Sequence, residues 1–173
     1  IALLLGFSYW LINLYWVEPV SAAGWVGFCL YTAMLWPLLM CVLRLSVKNR
    51  VPIFAAVPVL IVAIENLQGV FFHGFFWRFL GHSQLENLQL IQVADILGAG
   101  GVSFLIALVN GITADILVKY KSSNTLRKID LGKVILGIAA ISGTLVYGAY
   151  RLGQTDEVTE KGPVIASVQT NIP

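Results

Sequence analysis

Long apolar runs separated by short polar breaks dominate the chain. Runs with few or no charges cover residues 1–17, 20–43, 102–118 and 134–150, and a fifth, 51–72, reaches length only by passing through Glu65. A bilayer core roughly 30 Å thick needs about 20 apolar helical residues to cross it. The pattern therefore predicts an all-α membrane protein with about five transmembrane helices. It divides into a transmembrane region over residues 1–150, a charged Gly-containing linker over 151–162, and a short β-rich run over 163–173.

Composition agrees and narrows the class. Apolar residues make up 58% of the 173 and charged residues 12%, about half the charge of an average soluble domain. That excludes an ordinary soluble enzyme and intrinsic disorder, and a net charge of +2 gives no reason to expect a nucleic-acid partner. Beginning inside an apolar run and stopping after a strand-like run, the sequence is expected to be a piece of a longer protein.

The few charges assign sides, because short cytoplasmic loops collect Lys and Arg. Eight of the eleven basic residues fall in 44–50 and 119–133, whereas seven of the nine acids fall in the other connections and the tail. Five spans put both basic loops on one side. Loops 44–50 and 119–133 are therefore expected in the cytoplasm, with 65–101 and the C-terminal tail outside.

Chemistry is to be sought in the segment between the third and fourth spans. Six aromatics stand between Phe71 and Phe79, interrupted by Gly69, Gly74 and Gly81. Such a stretch is too glycine-rich for a simple helix and too apolar for a solvated loop, so it is expected to lie in the interface or re-enter the membrane edge. Residues 88–118 are too long for one span. The cluster Gly98–Gly101 supplies a break, with an external or re-entrant helix over Leu88–Leu97, the true span after Gly101, and Ser103 near the cap of that span. Glu65 reads either as a functional intramembrane carboxylate or as an interface carboxylate that reaches water. Asp95 reads as solvated, and Asp115 as the partner of Lys119 four residues on. His73, His82 and Glu86 have no zinc-type spacing, so no metal is expected. Ser83, His82 and Glu86 make no hydrolase triad. Cys29 and Cys41, inside one span, read as packing residues.

Several of these residues carry a resemblance. Glu65-x-x-x-Gly69, Gly74-Phe75-x-Trp77, Gly81-x-Ser83-Gln84, Gln92-x-Ala94-x-x-x-Gly98, Gly101-x-Ser103-Phe104-Leu105 and Asn110 resemble the membrane region of the apolipoprotein N-acyltransferase family. The closing Val168-Gln169-x-Asn171-Ile172-Pro173 is similar to the first β-strand of that family's nitrilase-like α/β domain. The resemblance implies a bacterial inner-membrane enzyme that moves an acyl chain from a phospholipid donor to the N-terminal amine of a diacylglyceryl-cysteine lipoprotein. It implies no cofactor. It also implies a thioester on a Cys, aided by Glu and Lys, all three beyond Pro173, so that the 173 residues alone lack the catalytic groups. What remains is a lipid cleft, with Glu65, Gly69, Gly74, Phe75, Trp77, Arg78, Ser83 and Gln84 as candidates. The chain departs from the family at Gln68, usually Arg, at Phe76, usually Pro, and at His82, usually Tyr. Arg78 is the basic residue nearest to the lost charge. The competing reading is a non-catalytic membrane scaffold supporting a polyprenol-phosphate mannose synthase.

Overall fold

The computed structural model describes residues 1–71, 74–123, 128–154, 162–163 and 166. Among the described residues seven helices follow in order: α1 (Ala2–Asn13), α2 (Ala22–Ala33), α3 (Leu35–Lys48), α4 (Ile53–Val70), α5 (Leu88–Ile91), α6 (Ala94–Ser123) and α7 (Lys128–Gly153), with 3-10 turns at Tyr15–Val17 and Leu80–Gln84. No strand occurs among the described residues. The β-rich run expected at 163–173 lies outside them except for Pro163 and Ala166, and His73 also lies outside them.

Among the described residues four stretches are long and apolar enough to cross a membrane: Ala22–Lys48, Ile53–Val70, Ala94–Lys121 and Leu131–Gly153. The expected first span corresponds to α1, apolar but only 12 residues long, which is a rise of about 18 Å. Many large apolar side chains face outward, among them Leu4, Ile12, Met34, Val59 and Val146. In water they would form a surface far more apolar than soluble proteins tolerate.

Local sequence explains the helix boundaries. Ser21 caps α2 by accepting the Gly24 N–H at 3.1 Å. Pro37 cannot donate to the carbonyl four residues back, and the helix breaks at Met34, the single residue between α2 and α3. At the end of α3 the Val51 N–H bonds Ser46 O at 2.9 Å and the Arg50 N–H bonds Val47 O at 3.0 Å. This closing loop usually takes glycine at its left-handed position, filled here by Arg50 at φ 62°. In α6 only Gly98 leaves helical geometry, at φ 65° and ψ −176°. The expected break is therefore real but one residue wide, and the helix continues to Ser123 instead of starting after Gly101. The external helix expected over Leu88–Leu97 is split, its first half forming α5 and its last four residues the first turn of α6.

Two packed regions result. Trp10, Leu14, Cys29 and Ala33 form a buried cluster among α1 and α2, covered by Phe28, Trp36 and Phe75. Along α6 the buried apolar side chains are Val102, Leu105, Ala107, Leu108 and Ile112. Here α6 lies close to α4, since a Cβ on Gly111 would stand 3.1 Å from the Phe54 backbone. Where α5 crosses α7, Gly148 meets the backbone of Gln89 so closely that no side chain would fit between them.

At one end of the bundle, Asp115 is buried and pairs with Lys119 at 3.2 Å and with Lys133 of α7. The first pair is the expected one. The second is new: Lys133 is itself buried and sits 5.3 Å above the Phe54 ring. At the other end Asp95 is not simply solvated. It accepts from the Tyr147 hydroxyl at 2.8 Å and from Arg151 Nε at 2.9 Å, joining the start of α6 to the end of α7.

Candidate functional site

The irregular segment after α4 is held by side chains of the helices around it. Glu65 and Gln68 stand three residues apart, so they share a helix face, and both are buried. Gln68 Nε2 donates to the carbonyls of Phe75 at 3.1 Å and Trp77 at 3.2 Å, while the Phe75 N–H donates to Gln68 O at 3.3 Å. Glu65 Oε1 accepts the Leu80 N–H at 2.5 Å, and Ser103 Oγ of α6 accepts the Gly81 N–H at 2.8 Å. Non-helical backbone survives at membrane depth only when its polar groups are satisfied, and these three side chains do that work. Glu65 Oε2 finds no donor among the described residues.

Tight turns complete the segment. Gly74 has φ +85°, and a Cβ there would stand 2.5 Å from Gly69 O, so no L side chain suits the position. The face of Gly69 is covered by the Phe76 ring. Arg78 also has positive φ, 62°, an uncommon state for a residue with a side chain.

The aromatics divide by direction. Phe75 points inward, 4.8 Å from Phe28 in an edge-to-face contact and 6.0 Å from Trp10. Phe71 stacks on Tyr31 at 6.0 Å. Trp77 points outward, 59% exposed, and meets Trp16 at 5.5 Å. His82 stacks on Phe79 at 5.5 Å.

Two cavities flank this segment. The first, of about 650 Å³, lies between Trp16, Trp77, Arg78 and His82 on one side and Ala94, Ala99 and Val102 of α6 on the other. The second, of about 570 Å³, lies between Val62, Glu65 and Phe79 and the α6 residues Gly98, Ala99 and Phe104. Both are within the usual range for small-molecule sites. A third, more polar depression of about 590 Å³ is lined by Ser83 and Gln84 with Glu86 and Asn87.

The candidates from sequence thus separate. Trp77 and Arg78 line the first cavity and Glu65 the second, whereas Gly69, Gly74 and Phe75 shape the wall behind them. Ser83 and Gln84 lie at the third depression, where Ser83 Oγ donates to Leu80 O at 2.8 Å. Glu65 is buried, 9% exposed. Ser103 is not a cap. It lies inside α6, fully buried, and serves the neighbouring segment. Trp16, which reads only as an interfacial aromatic anchor, and Ala99 are missed as site residues, since nothing in their local sequence points to the cavity. Gln68 carried a signal, being a polar residue one turn from Glu65 in an apolar helix. Its amide supplies the two donors that the segment's carbonyls need. Cys29 is buried in the aromatic cluster, while Cys41 is exposed on α3.

Residues 1–112 match the family described as the apolipoprotein N-acyltransferase N-terminal domain. A protein of Rhodopirellula baltica named apolipoprotein N-acyltransferase is 28% identical over 170 residues, covering 89% of this chain and 30% of the relative. One of the same name from Geobacter metallireducens is 29% identical over 174 residues, covering 96% and 32%. Another from Haemophilus ducreyi is 34% identical over 110 residues, covering 62% and 20%. The chain spans about a third of the length of the first two relatives. No solved structure gives a significant match.

Proposed function

The chain belongs to the apolipoprotein N-acyltransferase N-terminal domain family, and from that premise we propose that it forms the membrane part of an enzyme that N-acylates lipoproteins. The donor is a membrane phospholipid and the acceptor the N-terminal amine of a diacylglyceryl-cysteine lipoprotein. The reacting Cys, Glu and Lys belong to a nitrilase-like domain that begins in the 163–173 run, after the linker at 151–162. The membrane is the bacterial inner membrane. Segments 44–50 and 119–133 face the cytoplasm, and 65–101 faces outward with the tail.

The observation that carries this reading is the first cavity. It is apolar, large enough for part of an acyl chain, and edged by the cationic Arg78 at the end of the bundle where the irregular segment lies. A hydrocarbon chain gains about 0.8 kcal/mol per CH₂ removed from water, and an arginine at the rim suits a lipid phosphate. Trp77 and Trp16 form the outer wall, Phe75 anchors it from behind, and Gly69 and Gly74 allow its turns. Ser83 and Gln84 hold the adjoining turn.

In the intact enzyme, Trp77→Ala and Arg78→Ala are each expected to slow lipoprotein N-acylation at least tenfold, with Cys41→Ala unchanged. A gel-shift assay of lipoprotein maturation reads this directly. Equal maturation by all three variants would overturn the proposal.

A further inference from the structure

Away from the cavities, the corner where α3 turns into α4 gathers positive charge. Arg44 and Lys48 stand four residues apart in α3, so they share a face one turn apart, and Arg50 follows in the closing loop. All three residues are exposed, and their side chains have no ion-pair partner among the described residues. The sequence holds no acid between Glu18 and Glu65 to supply one. Nor does the neighbouring end of α6 relieve them. Lys133 Nζ sits 5.3 Å above the ring of Phe54 at the start of α4, and Asp115 is already shared by Lys119 and Lys133. Like charges one turn apart repel. Arg50 adds a second oddity, because its φ of 62° is a left-handed position where glycine is usual and a larger residue is held at a cost. Leu45, Val47 and Val51 are exposed among these cations.

We infer that the α3–α4 corner binds the phosphate of an anionic phospholipid in the surrounding leaflet. The exposed apolar neighbours make the occupant a lipid, since a soluble polyanion would leave Leu45, Val47 and Val51 against water, whereas acyl chains cover them. The cations make it an acidic one. A zwitterionic headgroup would bring its ammonium against Arg44, Lys48 and Arg50, with no unshared carboxylate at this end among the described residues. A phosphate without that ammonium meets two guanidinium forks and a lysine, and a fork grips two phosphate oxygens at once. Basic clusters beside a membrane span attract acidic lipid in this way. The 18 residues of α4 put about 27 Å between the corner and the irregular segment. The inference therefore stands apart from the acyl-transfer reading, whose cavities lie at the opposite end.

The test uses the intact enzyme in detergent, offered equal amounts of ether-linked phosphatidylglycerol and phosphatidylethanolamine of the same chains, and counts bound lipid by native mass spectrometry. Ether linkage keeps either lipid from being consumed as an acyl donor. The wild-type enzyme should retain phosphatidylglycerol at least tenfold better. Arg44→Gln combined with Lys48→Gln, both at exposed positions, should remove that preference at unchanged melting temperature. Arg50→Gly suits the left-handed backbone, so it should keep or raise the melting temperature measured without lipid while lowering the preference at least threefold. An Arg50 that only closes the turn would leave the preference unmoved. Arg151→Gln removes a cation from the far end of α7 and should change nothing, which separates the corner from net charge. The inference is overturned by a wild-type enzyme without headgroup preference, by a preference that survives the double change or Arg50→Gly, or by equal loss on Arg151→Gln.

Discussion

The two ends of α6 use buried polar side chains in opposite ways. At one end Asp115, Lys119 and Lys133 join helix to helix through charge. At the other, Glu65, Gln68 and Ser103 join helix to irregular backbone through hydrogen bonds. The first arrangement closes the bundle and leaves regular helices behind. The second holds open a stretch that has no helix of its own, with a cavity on either side. In an apolar chain with 12% charged residues, buried polar groups mark where the fold departs from simple helix packing.

The largest way to break this contrast is at the ion pair. Asp115→Ala removes the carboxylate that the buried Lys133 and Lys119 both reach and should cost roughly 3–5 kcal/mol, seen as a lowered unfolding midpoint in detergent. The double change Asp115→Leu with Lys133→Met should recover most of that loss, because an apolar pair of similar volume is often neutral. Failure of the double variant to recover would mean that the charges do more than neutralise each other.

Next comes the irregular segment. Gly74→Ala forces a side chain into left-handed backbone, about 1–2 kcal/mol by conformation alone, and adds the clash with Gly69 O. Ser103→Ala orphans the Gly81 N–H at roughly 1–3 kcal/mol. Ser103→Thr, which keeps the hydroxyl, should cost less if it fits. Both changes should raise amide hydrogen exchange at residues 74–84 before they affect α7. Uniform exchange throughout the bundle would show that the segment is not a separate unit.

The smallest effect is expected at the exposed end of α7. Arg151→Ala removes a pair whose side chains are 37% and 35% exposed, a class worth about 0–1 kcal/mol. The difference should shrink further as salt is raised in thermal melts. An effect as large as that of Asp115→Ala would erase the distinction between the two ends.

Much of the helical plan is legible in the sequence because a membrane span needs only length and apolarity. Runs 51–72 and 134–150 coincide with most of α4 and α7, and Gly98 breaks the helix as its glycine cluster implies. What periodicity cannot reveal is partnership across the chain. Lys133 looks like one of several loop lysines, yet α7 carries it against Asp115 eighteen residues away. Ser103 has the composition of a cap, but its hydroxyl is taken by Gly81, twenty-two residues earlier. Of the candidate site, Glu65, Trp77 and Arg78 can be named from local oddity alone, a charge or large aromatics in a glycine-broken run. Their separation onto two cavities depends on how the segment folds back on α6.

Ala99 lines both cavities. A single small residue is thus common to both walls, so the two spaces are adjoining rooms that share a post. Ala99→Gly, one carbon fewer, would widen the space at that post and Ala99→Val, two carbons more, would narrow it, letting a small change in volume set how independently the two rooms are filled.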